Sequence, residues 1–205
     1  MLRNSSNIGE IYNYLISTQD LISKLKRIEK GGSGKAYENF THLILNYLFC
    51  TDSNPEKNLG MIKKAQESSA ITAQDKTDSG RNIRDFILPN FATLGFWRYV
   101  RERYKGDYIV VDCKNYTEGI GKREIIDVAH YMIEEGCGLF GLICTRSEIQ
   151  NSAKTALLGQ WLHYKKMIVC LSDQDLINML LLKEEGNDPN LIIKEKITSF
   201  RKGID

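Results

Sequence analysis

Apolar positions along this chain switch between helical and strand spacing, and the switches mark its elements. Ile8, Ile11, Leu15, Leu21, Leu25 and Ile28 predict a helix over 8–29, interrupted at Thr18-Gln19-Asp20. Gly31-Gly32-Ser33-Gly34 then breaks the pattern. It sets a boundary between an N-terminal helical appendage, 1–33, and a main domain, 34–205. Phe40, Leu43, Ile44, Tyr47 and Leu48 form the apolar stripe of a helix over 35–49, followed by a loop over 50–60, a short helix over 61–69 and a polar turn over 75–82. A strand over 82–88 is stopped by Pro89-Asn90. Residues 95–105 fit a helix with Trp97, Val100 and Tyr104 on one face, and 107–114 fit a second strand. Then come a helix over 122–135, with Ile125, Ile126, Ala129, Met132 and Ile133 inward, and the wholly apolar strand 139–145. A helix over 149–164, a strand over 167–171, a helix from Ser172 to Leu182 and a last helix over 190–200 complete the order. Ser172 and Asp175 have the spacing of a capping box. Helices alternating with buried strands give an α/β sandwich built on a mixed sheet flanked by helices.

The candidate chemistry sits on the second strand. Side chains alternate across a strand, so Asp112 and Lys114 share one face while Ile109, Val111 and Cys113 face the core. Alone, such a D-x-K also fits a surface salt bridge. Asp85, 27 residues earlier on the preceding strand, adds a second acid. Two carboxylates on adjacent strands, with the backbone carbonyl of Cys113, suffice to hold a hard cation such as Mg²⁺. Lys114 beside carboxylates keeps its proton, so it suits orienting a water and offsetting phosphate charge better than acting as a base. Glu38, on the first helix of the main domain, is a further candidate, although it lies opposite the centre of that helix's apolar stripe.

The order of Glu38, Asp85, then Asp112 and Lys114 on a strand, then a helix and a buried strand, resembles the PD-(D/E)XK nuclease core, especially the restriction-endonuclease-like domains of bacterial defence systems. The resemblance covers about residues 34–175. It implies a restriction-endonuclease-like core, with Asp85 and Asp112 as Mg²⁺ ligands (Mn²⁺ substituting), Lys114 as the catalytic lysine, and hydrolysis of phosphodiesters in DNA. Two departures stand out. Asp112 occupies a position where glutamate is commoner, and Arg84, not proline, precedes Asp85.

Charge changes this picture little. A formal net charge of +2 does not announce a nucleic-acid binder, so DNA contact must rest on local cations. The candidates are Arg81 and Arg84, the Arg98/Arg101/Lys105 helix stripe, and Lys122 with Arg123 just beyond the active strand. Each is equally an ordinary solvated cation. Gly31–Ala36 lacks the P-loop spacing and its hydroxyl. Five cysteines without a CxxC pair fit reduced core thiols of a cytoplasmic protein. No run approaches membrane-span length, and the first ten residues lack a signal core. No helix-turn-helix or zinc finger appears, so recognition falls to loops, a homodimer partner, or a separate recognition or activating protein. Two rival classes stay open: a catalytically silent binding or regulatory module of the same fold, and a nucleotide-binding α/β domain with structural acids.

Overall fold

The computed structural model describes residues 17–49, 75–76 and 83–204. The expected helix over 61–69, the loop over 50–60, residues 8–16, Cys50 and Arg81 lie outside them. Helix α1 (Thr18–Arg27) begins where the sequence pattern suggests an interruption, because the Ser17 hydroxyl caps it by accepting from Asp20 N at 3.0 Å. Thr18-Gln19-Asp20 is therefore a first turn. Helix α2 (Gly34–Phe49) follows the glycine turn.

The expected single strand over 82–88 is two. Strand β1 (Asp75–Lys76) pairs antiparallel with β2 (Ile83–Arg84), the chain bends at Asp85, and β3 (Phe86–Pro89) joins the main sheet. Helix α3 (Gly95–Tyr104) leads into β4 (Tyr108–Lys114). Helix α4 (Lys122–Tyr131), β5 (Phe140–Thr145), α5 (Asn151–Tyr164), β6 (Met167–Ser172), α6 (Asp173–Glu184) and α7 (Asn190–Lys202) complete the chain. The Ser172–Asp175 capping box forms as its spacing predicts. Helix α4 ends four residues before the expected 135. Gly136 N and Gly138 N both donate to Ile133 O in a turn there, which leaves Ile133 58% exposed instead of inward.

The main sheet has the order β3-β4-β5-β6, with β3 antiparallel to β4 and the other pairs parallel. Crossovers of one hand carry α4 and α5 to the same face. Val110, Ile143 and Ile168 meet Ile125, Ala129 and Ala153 on that face. The opposite face, with Val111, Leu142 and Val169, packs against α1, α2, α3, α6 and α7. Leu21 and Leu25 of α1 belong to this second cluster with Tyr37 and Leu180, so packing continues across the glycine turn. Burying β5 on both faces requires the unbroken apolar run seen there. No helix among the described residues is long and apolar enough to cross a membrane.

Candidate active site

The carboxyl ends of β4 and β5 carry the charged residues of interest. Alternation along β4 sends Ile109, Val111 and Cys113 into the five-helix face and Asp112 and Lys114 to the α4/α5 face, as expected. Asp112 is only 7% exposed. Lys114 Nζ donates to its Oδ1 at 2.8 Å and lies 2.7 Å from Oδ2, so the ammonium faces both carboxylate oxygens.

The bend at Asp85 explains how the second acid arrives. Phe86 pairs with Val111, so one further step of the register sets Asp85 opposite Asp112. The next hydrogen-bonded rung would join Arg84 to Cys113. Instead β2 has turned away to β1, and Asp85 Oδ2 accepts from Cys113 N at 2.5 Å. The carboxylate thus replaces a ladder carbonyl. The N–H and C=O of one strand residue point the same way. The Cys113 carbonyl is therefore also directed toward the side where β3 has ended.

The electrostatics follow from this crowding. Burial pushes the Asp112 carboxyl up to about 6; Lys114 opposes the shift and Asp85 adds to it. Burial also raises Asp85, against the Cys113 N–H, and the Glu38 carboxylate raises it further. For Lys114, burial disfavours the charge, but the Asp112 and Asp85 carboxylates act against it and the net shift is upward. The ammonium form persists at neutral pH, as the sequence suggests.

Glu38 is not the solvated residue that the apolar stripe implies. The buried positions of α2 are Tyr37, Glu38, Thr41, Ile44, Leu45 and Leu48, while Phe40, Leu43 and Tyr47 are half-buried. The helix packs against β4 and α6 together, so its covered arc is wider than one stripe. Glu38 pairs with Lys35 at 2.6 Å, and both act electrostatically on Asp85.

The donor set suits a hard cation. Asp112 offers its buried carboxylate beside Lys114, Asp85 offers the oxygen that Cys113 N does not use, and the Cys113 carbonyl is turned to the same side. Among the described residues no three His, Cys, Asp or Glu side chains converge on one point. An ion here would therefore rest on Asp85, Asp112 and a main-chain oxygen, with water completing the shell, the pattern that Mg²⁺ accepts.

The basic candidates divide. Lys122 and Arg123 line a cleft of about 860 Å³ with Lys114 and the exposed Tyr116, walled on one side by Gly31 and Gly32. The Arg98/Arg101/Lys105 stripe does not join them. Arg98 pairs with Glu102 at 2.7 Å and Arg101 with Asp107 at 3.8 Å. Asp107 precedes β4, about 16 Å from Asp112 at roughly 3.3 Å per residue. Lys105 closes α3 in the left-handed conformation. Arg84 is the last residue of β2.

Beside the acids lies a cluster that sequence reasoning missed. Arg146, just after β5, pairs with Asp173 at 2.8 Å, donates to Ile28 O at 2.9 Å and to Asn115 Oδ1 at 3.3 Å, and stands over the Tyr37 ring. Tyr37 donates to Asp173 at 2.9 Å. Asn115 donates to Glu29 O and Ser33 O and accepts from Gly31 N. The only signal in the chain is a polar residue directly following each of two apolar strands. No family model, no curated protein and no solved structure matches the chain.

Proposed function

We propose that this chain is a Mg²⁺-dependent nuclease of the PD-(D/E)XK kind that hydrolyses phosphodiester bonds in DNA, on a restriction-endonuclease-like core. The observation that carries the reading is the juxtaposition of Asp85 and Asp112 on antiparallel neighbours, with the Lys114 ammonium 2.8 Å from Asp112. Three charged groups of this composition at a strand end, with Lys114 lining a cleft that holds further cations, suit a phosphate in attack.

Asp85, Asp112 and the Cys113 carbonyl would hold the ion. Bound Mg²⁺ supplies Lewis-acid charge and lowers the pKa of water. Lys114 orients the attacking water through its N–H groups and offsets negative charge growing on the phosphoryl oxygens. Asp112 fixes that ammonium, so Lys114 arrives already aimed. Lys122 and Arg123, at the cleft wall, take the flanking phosphates. Glu38 acts through Asp85 and Lys35, as a positioning residue. The leaving 3′-oxygen takes its proton from solvent.

Incubation of the protein with plasmid and Mg²⁺, beside Asp112→Ala and Lys114→Ala variants, tests the reading. Nicking by the wild type that falls about 100- to 1,000-fold in each variant is expected. Cleavage unchanged in both variants removes the assignment. Absence of cleavage by the wild type on duplex, single-stranded and RNA substrates favours the silent binding module.

A further inference from the structure

A second groove, of about 810 Å³, opens between α3 and α7. Phe96 and Tyr99 line it from α3, and Lys194, Arg201 and Lys202 from α7; no carboxylate lines it. For a chain of net charge +2, three cations on one wall are a local excess. Lys194 pairs with Asp188 at 2.7 Å, but Arg201 and Lys202 pair with no carboxylate among the described residues. The Arg201 guanidinium stands 5.7 Å over the Trp161 ring, which holds it in place without neutralising it.

Tyr99 is the second half of the site. It is 40% exposed, and its ring stands edge-on against the buried Tyr104 at 5.9 Å. A large aromatic side chain braced from beneath and open above is a platform for another ring. Gly95, at the mouth, has free space around it: a Cβ there would meet nothing within 4 Å. An exposed aromatic among cations, in a channel free of acids, has the composition of sites that track a nucleic-acid strand, with phosphates on the cations and bases on the rings. A duplex keeps its bases stacked on one another and gains nothing from Tyr99.

We infer that this groove binds single-stranded nucleic acid, with its phosphates against Lys194, Arg201 and Lys202 and a base on the Tyr99 ring. The site lies by the starts of the parallel strands, where Leu139 N donates to Tyr104 O at 2.7 Å just before β5. The acids lie at their ends, about 20 Å away along β4 at roughly 3.3 Å per residue. Binding here therefore stands apart from whether Asp112 and Lys114 cleave anything.

Fluorescence anisotropy of the full chain with a labelled oligothymidylate of about a dozen nucleotides tests it, in EDTA so that cleavage plays no part. Oligouridylate, a duplex of equal length and thymidine monophosphate serve as competitors. Tyr99→Ala should weaken binding about tenfold, with Tyr99→Phe close to wild type. The surface pair Arg201→Ala/Lys202→Ala should lower the slope of log affinity against log salt by about 1.4. Competition by oligouridylate comparable to oligothymidylate agrees with the inference, and selectivity between them only narrows the strand to DNA or RNA. Affinity unchanged in the double variant overturns it. So does a duplex competing as well as the single strand, or a monophosphate competing as well as the oligonucleotide.

Discussion

Two clusters of charge sit at the carboxyl ends of β4 and β5, and they differ in how their charges balance. Around Arg146, each charged group has its partners inside the protein. The guanidinium meets Asp173, Asn115, Ile28 O and the Tyr37 ring, and Tyr37 completes Asp173. Around Asp112 the balance fails. Among the described residues, the carboxylates of Asp85, Asp112 and Glu38 stand against two ammonium groups, Lys114 and Lys35. Buried negative charge in excess of its cations costs free energy, and such clusters gather where a cationic ligand completes them. Charge balance suits the first cluster to a brace, and charge excess makes the second the candidate site.

The sharpest break of that contrast is Arg146→Met. It leaves Asp173 buried without its cation and should destabilise the fold by about 3–5 kcal/mol in urea titration. A loss under about 1 kcal/mol would mean the brace carries little.

Next in size is the response to divalent ion. At Mg²⁺ a hundredfold above its Kd, an apo protein with the acids at the ion's site gains about 2.7 kcal/mol, visible as a raised Tm. The sign with pH follows from Asp112. Its carboxyl sits at about 6 in the folded chain against 3.8 unfolded, so between those values the native state holds the extra proton. The contribution of this group to stability in the apo protein therefore falls as pH rises from about 4 to about 6. The Mg²⁺-induced shift should run the other way, small at pH 5 and full at pH 7.5, because protons compete for Asp112. A shift that is equal at both pH values, or survives Asp112→Asn, would place the ion elsewhere.

The smallest effect is expected from Glu38→Gln. Removing its charge relieves Asp85, so cleavage should change by less than about tenfold, with the acid limb of the pH–rate profile moving to lower pH. A loss as large as that of Lys114→Ala would make Glu38 a ligand and not a positioning residue.

Periodicity made the α/β order readable because β5 and β6 are apolar runs buried on both faces and α4 carries a clear stripe. The D-x-K was readable for the same reason: alternation along a strand alone sets Asp112 and Lys114 side by side. Asp85 was legible as a partner, but the bend that delivers it was not, since the exit of β2 toward β1 depends on two rungs, Asp75 with Arg84 and Lys76 with Ile83. Asp75-Lys76 lies in a stretch whose polar residues read as a turn. Glu38 defeated the helical wheel because two neighbours cover α2 at once. Arg146 and Asp173 are 27 residues apart and converge only through the crossover of α5 and β6. The cations of the α3/α7 groove come from a helix about a hundred residues beyond Tyr99, and no local pattern links them. The Arg98/Arg101 stripe shows the converse, a regular cationic face engaged with neighbouring acids.

The rung that Asp85 supplies to Cys113 gives this residue two employments. Truncating it to alanine removes an anion and also unfastens the margin of the sheet, so lost turnover could not be credited to chemistry alone. Asparagine keeps an acceptor for the Cys113 amide while discarding the charge, and is the cleaner substitution. Whatever chemistry the acids perform, the fold itself holds position 85 to a side chain that can accept from the Cys113 amide.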